Sequence, residues 1–213
     1  MKIKYLAHAS FLITSGKGVK IVTDPYTAGG GLKYAPVKET ADIVTVSHEH
    51  GDHNATASVK GNPAVLREGG EAKGIKVKAV AAEHDDKGGS QRGKNTLFCF
   101  DIDGINVCHL GDLGHLLTAA QVKALGKVDV VMIPVGGFFT IDAAAAAKVV
   151  DQLKPAVVIP MHYKTDKADF PIAGVQDFIA GKTNVSRING SEVELTPGKL
   201  PQAAQIVVLK PSL

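Results

Sequence analysis

The stretch Ser47-His48-Glu49-His50-Gly51-Asp52-His53 gathers three imidazoles and two carboxylates into seven consecutive positions. It follows Ala41-Asp42-Ile43-Val44-Thr45-Val46, an apolar, β-branched run of strand length that should be buried. The polar cluster therefore stands at a strand's end. In an extended chain residues two apart point the same way, so His48 and His50 project from one face and Glu49 from the other. A turn at Gly51 then presents Asp52 and His53 as a second pair, near enough to the first for two metal ions to lie side by side. Neutral imidazoles with a carboxylate suit zinc, manganese, nickel or iron, whereas magnesium or calcium would call for oxygen-rich sites. A solvated polar turn would draw on Gly, Pro, Asn and Ser and would not collect histidines.

The H-x-H-x-D-H arrangement of His48, His50, Asp52 and His53 resembles the metallo-β-lactamase superfamily of dinuclear metallohydrolases. Further segments match that superfamily in order: Thr23-Asp24-Pro25, Glu83-His84, Leu110-Gly111-Asp112 and Pro160-Met161-His162-Tyr163. The resemblance thus spans nearly the whole chain. His8-Ala9-Ser10-Phe11-Leu12-Ile13 and Ile133-Pro134-Val135-Gly136-Gly137 are similar to a subgroup that contains ascorbate-6-phosphate lactonase, N-acyl-phosphatidylethanolamine phospholipase D and many short hydrolases.

The resemblance implies an α/β (α+β) fold, a four-layer αβ/βα sandwich with metals at the shared edge of its sheets, formed as one domain over residues 1–213. It implies two divalent metal ions, zinc foremost, with manganese, nickel or iron as alternatives. His48, His50 and His84 are assigned to the first metal, Asp52, His53 and His162 to the second, and Asp112 to a bridge between them. Asp24 is expected to orient the metal histidines. His109 competes with His84, but the hairpin pattern sets it on one face with Phe98, Phe100, Ile102, Ile105 and Val107, which favours a core position. Two adjacent cations would acidify a water and stabilise an oxyanion, with Asp52 orienting the nucleophile or shuttling its proton. His8, expected at the pocket rim, and His115 are the other catalytic candidates, and Tyr163 is a further candidate to touch substrate.

The implied function is hydrolysis of an ester, lactone or phosphodiester bond in a small metabolite. A metal-dependent binding or regulatory module without turnover, and a metallonuclease, are the alternatives. Diiron relatives carry a glutamate where this chain has His50, and nuclease relatives carry an added domain or arm that does not interrupt residues 112–162. No Gly-x-Ser-x-Gly elbow is present, and Cys99 and Cys108 fall mid-strand, which disfavours covalent catalysis. Specificity is expected in the loops at 26–36 and 87–95.

Composition bounds the partners. Over 213 residues the chain is 45% hydrophobic and 21% charged, with a formal net charge of +3 and no block of like charges. A small-molecule substrate is expected, and no nucleic acid. No apolar run approaches the ~20 residues of a membrane span. Residues 1–6 alternate as a strand and not as a signal peptide, so a cytoplasmic protein is expected.

The elements that must position these residues follow from pattern. Residues 2–6, 10–14 and 19–23 read as strands opening an antiparallel sheet, followed by strands at 64–67 and 75–80. A hairpin of 96–102 with 105–110 turns at Asp103-Gly104 and sets Cys99 opposite Cys108. A disulfide there is sterically conceivable, while reduced thiols suit a cytosolic chain. Helices are expected within 54–60, after a capping box at Thr118 and Gln121, from Asp142 to Leu153 before Pro155, and over 170–180. Buried strands are expected at 128–133 and 156–159, and a closing strand at 205–209. The glycine-rich 27–32 lacks a phosphate-cradling fingerprint and reads as a loop over the site.

Overall fold

Alternation along the first strands serves two apolar layers and leaves no wet face. In the computed structural model, which describes residues 1–213, β1 (Lys2–Ala7), β2 (Ser10–Thr14), β3 (Lys20–Thr23) and β4 (Ile43–Thr45) are almost wholly buried. Ile3, Tyr5, Phe11, Ile13, Ile21 and Ile43 enter the larger hydrophobic cluster, while Leu6, Leu12, Val22 and Val44 enter a second, smaller one. Side chains of period two thus feed opposite faces of one sheet. With β5 (Ala64–Leu66) and β13 (Glu192–Glu194) these strands make a six-stranded sheet in the order β13-β1-β2-β3-β4-β5. Its first three strands are antiparallel, as the sequence implies, and β3, β4 and β5 are parallel.

The second sheet has eight strands in the order β12-β14-β11-β10-β9-β8-β7-β6. It begins as an antiparallel meander of β6 (Gly70–Ala72), β7 (Ile75–Glu83), β8 (Lys94–Ile102) and β9 (Ile105–His109). From β9 onward β10 (Val130–Pro134), β11 (Val157–Met161), β14 (Gln205–Val208) and β12 (Val185–Arg187) pair in parallel. The hairpin register is the expected one, with Phe98 opposite His109 and Cys99 opposite Cys108, and both buried cysteines are free.

Helix α1 (Ala119–Leu125) starts at the full Thr118–Gln121 capping box, and α2 (Ala143–Leu153) at Asp142, whose carboxylate accepts the Ala145 N–H at 2.8 Å. Leu125, Ala146, Val149 and Leu153 carry these helices onto the larger cluster, together with Phe178 of α3 (Val175–Ile179). The fold is the two-sheet α/β sandwich expected. Over the outer face of the first sheet, however, the fourth layer is coil: Tyr26, Leu32, Tyr34, Val37, Val59 and Ala168 cover Leu6, Leu12, Val22 and Val44. The helix expected within 54–60 shrinks to a 3-10 turn at Thr56–Ser58, because the chain is already extended at Val59 and Lys60, where Lys60 bridges to Thr40 and gives its N–H to Glu39 O at 2.9 Å. The helix expected over 170–180 starts only after Gly174, since Gly174 pairs with Lys164 as an extended bridge and the Ala173 carbonyl, which a helix would need as an acceptor, takes the Lys164 N–H at 2.8 Å.

Direction then places the chemistry. His8 follows β1, Asp24 follows β3, His48 to His53 follow β4, His84 follows β7, Asp112 follows β9 and His162 follows β11. Pairing makes β1, β3 and β4 point one way in the first sheet, and β7, β9 and β11 one way in the second. All these residues stand at carboxyl ends of strands, where α/β sheets place ligands. No helix is long and apolar enough to cross a membrane.

Candidate metal centre

Three residues at these strand ends adopt left-handed backbone conformations although none is glycine: His8 at φ 56°, Asp24 at φ 39° and His162 at φ 50°. Such conformations persist only where surroundings enforce them, and they gather at functional sites. The His8 carbonyl shows the enforcement, accepting both the His162 N–H at 2.9 Å and the Tyr5 hydroxyl at 2.9 Å.

One carboxylate oxygen forms the hub. Asp112 Oδ2 lies 3.2 Å from Nε2 of His53, 3.2 Å from Nε2 of His84, 3.3 Å from Nε2 of His162 and 4.0 Å from Nε2 of His48. Around it the ligand atoms form two groups, His48 with His50 and His84, and Asp52 with His53, His162 and His8, while a third, Asp24 with His48 and His53, lies behind them. The first is the set assigned to the first metal from sequence; the second holds the set assigned to the second metal and adds His8. Contrary to expectation, His8 is not at the rim: it is buried, its ring centroid is 4.1 Å from that of His162, and its Nε2 is 3.1 Å from Asp52 Oδ2.

Asp24 sets the histidine tautomers. Its carboxylate accepts the Ser47 N–H at 2.8 Å, the Ser47 hydroxyl, and His53 Nδ1 at 2.8 Å. Reading proton positions from this network, His53 donates its Nδ1–H to Asp24 and so turns Nε2 toward Asp112, where a bound cation would displace any proton it carries. His48 does likewise, donating Nδ1–H to Ser47 Oγ at 3.0 Å. The Nε2 of His48 then faces Nδ1 of His50 at 3.0 Å.

The donor set fits divalent cations. His53 Nε2, Asp112 Oδ1, His84 Nδ1, His162 Nδ1 and His8 Nδ1 are buried without a hydrogen-bond partner. Unpartnered buried polar atoms cost roughly 1–3 kcal/mol each, and two of these groups, His53 Nε2 and the Asp112 carboxylate, meet at the hub 3.2 Å apart, where a divalent cation would satisfy both. His109 is different: its Nε2 donates to Ala9 O at 2.7 Å and its Nδ1 accepts the Gly111 N–H at 3.2 Å, which makes it a satisfied core histidine.

Electrostatics follow the packing. Burial, then His162, push His8 down to about 4; burial, then His53, push His48 down to about 3. Both rings are neutral at neutral pH, as ligands must be. For Asp112 burial acts upward, but His162 and His53 hold the carboxyl well below its usual range. For His53 burial acts downward, and Asp112, Asp24 and Asp52 override it. Asp52 is likewise held low against burial by the His8 hydrogen bond and by His53.

Asn95, a buried amide in β8, fixes the Asp112 loop by accepting the Asp112 N–H at 3.0 Å and donating to Leu110 O at 2.9 Å. Gly111 is obligatory beside it. Its φ is 51°, and a Cβ there would fall 2.6 Å from Ser47 Cβ and closer still to Asn95 Oδ1.

Above the hub opens a cavity of about 350 Å³, lined by His50, Asp52, His84, Asp112 and His162 together with Gln91, Arg92, Phe139 and Phe170. Gln91 and Arg92 lie in the expected specificity loop; Phe139 and Phe170 carry no signal in sequence. A larger hollow of about 640 Å³, near Lys127, Val150 and Pro155, lies at the opposite strand ends and gathers no histidine. Two expected substrate contacts are not brought to the cavity. His115 is held between Leu116 O at 2.7 Å and the Glu83 N–H at 3.1 Å. Tyr163 is buried and donates its hydroxyl to Leu209 O at 3.2 Å.

Two sheets with a histidine–aspartate cluster at their common edge define a metal-dependent hydrolase of the metallo-β-lactamase class, and comparison with known proteins agrees. The β-lactamase superfamily domain model matches residues 2–162. The chain belongs to this superfamily. A UPF0173 metal-dependent hydrolase of Pelotomaculum thermopropionicum is 32% identical, the match covering 93% of this chain and 98% of the relative. Another of that name, from Thermococcus onnurineus, is 31% identical over 78% of this chain and 85% of its own length. A crystal structure from Thermotoga maritima, of a protein assigned to the Zn-dependent hydrolases of the superfamily, superposes with a TM-score of 0.82 at 40% identity, covering 98% of this chain and 97% of that one.

Proposed function

We propose that this metal-dependent hydrolase cleaves an ester, lactone or phosphodiester bond in a small metabolite at a centre of two divalent cations, zinc foremost. His48, His50 and His84 would hold one cation, Asp52, His53 and His162 the other, and Asp112 would be shared. When bound, such a pair supplies an acidified water and positive charge for an oxyanion developing at carbon or phosphorus. The protein's own groups prepare the rest. Asp24 holds the lone pair of His53 inward, Ser47 that of His48, and neutral His8 fixes Asp52 by donating to one of its oxygens. Asp52 keeps partial exposure to the cavity, with 30% of its side chain accessible, so it can orient a nucleophile or pass on its proton.

The carrying observation is the approach of Asp112 Oδ2 to within 3.2–3.3 Å of three imidazole nitrogens from both sheets. Two nearby dications repel, and a shared carboxylate makes their proximity tolerable. Elemental analysis with a panel of chromogenic lactones, esters and phosphodiesters tests the reading. Metal should be bound and activity should vanish with chelator; turnover that survives complete metal removal would sink it. Asp112→Asn should lower metal content toward one per chain and raise the apparent pKa of the rate. Retention of both metals with an unchanged pH profile would give Asp112 an indirect role. Bound metal without turnover of any substrate would favour a binding module.

A further inference from the structure

We propose that Arg92 selects the substrate by binding a carboxylate or phosphate carried on it, while Phe139 and Phe170 receive the adjoining apolar part. The proposal rests on the hydrolase reading above and names a specificity residue for it.

The chain has three arginines. Arg67 is paired with Glu49 at 2.6 Å, and Arg187 donates to Gln176 at 2.6 Å. Only the guanidinium of Arg92 has no side-chain acceptor, although it is half-buried at the wall of the cavity that holds His84 and Asp112. The carboxylates nearby are committed. Asp85 is spent on backbone N–H groups, Asp86 lies 3.4 Å from Lys87, and Glu83 faces Lys94 at 3.2 Å and His115 at 3.0 Å. An arginine in this state has its charge and its fork of donors still to offer.

Its geometry suits an oxyanion. The Arg92 Cζ lies 5.7 Å from the Phe139 ring centroid, so an aromatic face supports the guanidinium and leaves its edge donors available for bidentate bonding. Phe139 packs edge-on against Phe170 at 5.8 Å, continuing the same wall as an apolar surface. The arginine also springs from a fixed point. Asp85 Oδ1 accepts N–H from Lys87 at 2.8 Å and Gly89 at 2.9 Å, and Oδ2 accepts from Gln91 at 2.9 Å and Arg92 at 2.8 Å. A loop already ordered loses little entropy when its arginine engages a ligand. Arg92 shares its cavity of about 350 Å³ with His84, Asp112 and His162, so an anion it holds lies close to the scissile bond.

The test compares two esters that differ only by a terminal carboxylate, p-nitrophenyl butyrate and mono-p-nitrophenyl glutarate, on the metal-loaded protein, for wild type, Arg92→Met and Arg92→Lys. The glutarate ester should be preferred by wild type. Arg92→Met should lower kcat/KM for it roughly 10- to 100-fold, mainly through KM, and leave the butyrate ester within about twofold, with Arg92→Lys intermediate. Equal losses on both esters, or no preference in wild type, would overturn the proposal. A separate arm needs no turnover: calorimetric titration with glutarate and with n-propyl phosphate, whose relative affinities show which anion is preferred. Weaker binding of both anions to Arg92→Met supports the role even where neither ester is cleaved, a result that would count against hydrolysis alone. Equal binding to wild type and Arg92→Met removes Arg92 from recognition.

Discussion

A buried imidazole takes its tautomer from its neighbours, and that is what separates the two histidines that compete for one role in this chain. His109 has both ring nitrogens satisfied by Ala9 and Gly111, whereas His84 has Nε2 against Asp112 and an unpartnered Nδ1. Substitution should therefore have opposite signatures. His84→Ala should lose metal with little change in the stability of the metal-free protein. His109→Phe should keep metal but leave the Gly111 N–H without its acceptor and the Ala9 carbonyl with only the Thr23 hydroxyl at 3.4 Å, a destabilisation of about 1–3 kcal/mol in urea titration. Metal lost from His109→Phe and kept by His84→Ala would reverse the assignment. The sequence already leaned this way, because period-two alternation in the hairpin put His109 among Phe98, Phe100 and Val107. Periodicity cannot reveal which strand end lies against which, so the burial of His8 beside Asp52 and the turning of His115 toward Glu83 were not legible.

The loop after β7 shows how an element can be held by one side chain. Burial would raise the Asp85 carboxyl, yet the N–H groups of Arg92, Lys87, Gln91 and Gly89 hold it down to about 2. Its folded pKa is thus depressed below an unfolded value of ~3.9, so its contribution is complete above that value and is lost as pH falls through about 2. In metal-free protein the thermal stability gap between wild type and Asp85→Asn should be full at neutral pH and close over this acid interval. A gap that stays constant there would exclude the clamp. Elements of this kind escape pattern reading, as do β6, β12 and β13, whose few half-exposed residues are strands only because a neighbour pairs with them. Elements with their own chemistry were legible: the capped starts of α1 and α2, the Asp103-Gly104 hairpin, and the buried β10 and β11.

On the scale of the molecule the centre joins the two sheets. His48, His50, Asp52 and His53 come from the first, His84, Asp112 and His162 from the second, and unfolding scatters them. Ions that bind only the assembled arrangement stabilise it by mass action, by about 2.7 kcal/mol for one site at a free concentration 100 times its Kd. For a chain of this length that corresponds to a rise in Tm of roughly 5–10 °C. Chelator should remove the increment and graded free zinc should restore it; a Tm indifferent to metal would show that the sheets do not depend on the centre. The coil over the first sheet has another consequence. Tyr26, Leu32, Tyr34 and Val37 shield that sheet from water, and in the same segment a Cβ at Gly31 would fall 2.7 Å from the ring of Phe170, which walls the cavity. Altering the mouth from that side also uncovers the core. Residues 86–93 contribute nothing to either hydrophobic cluster. Evolution can therefore retune what the cavity admits through the arginine-bearing loop at little risk to the fold, while the glycine-bearing loop ties any new preference to a loss of stability.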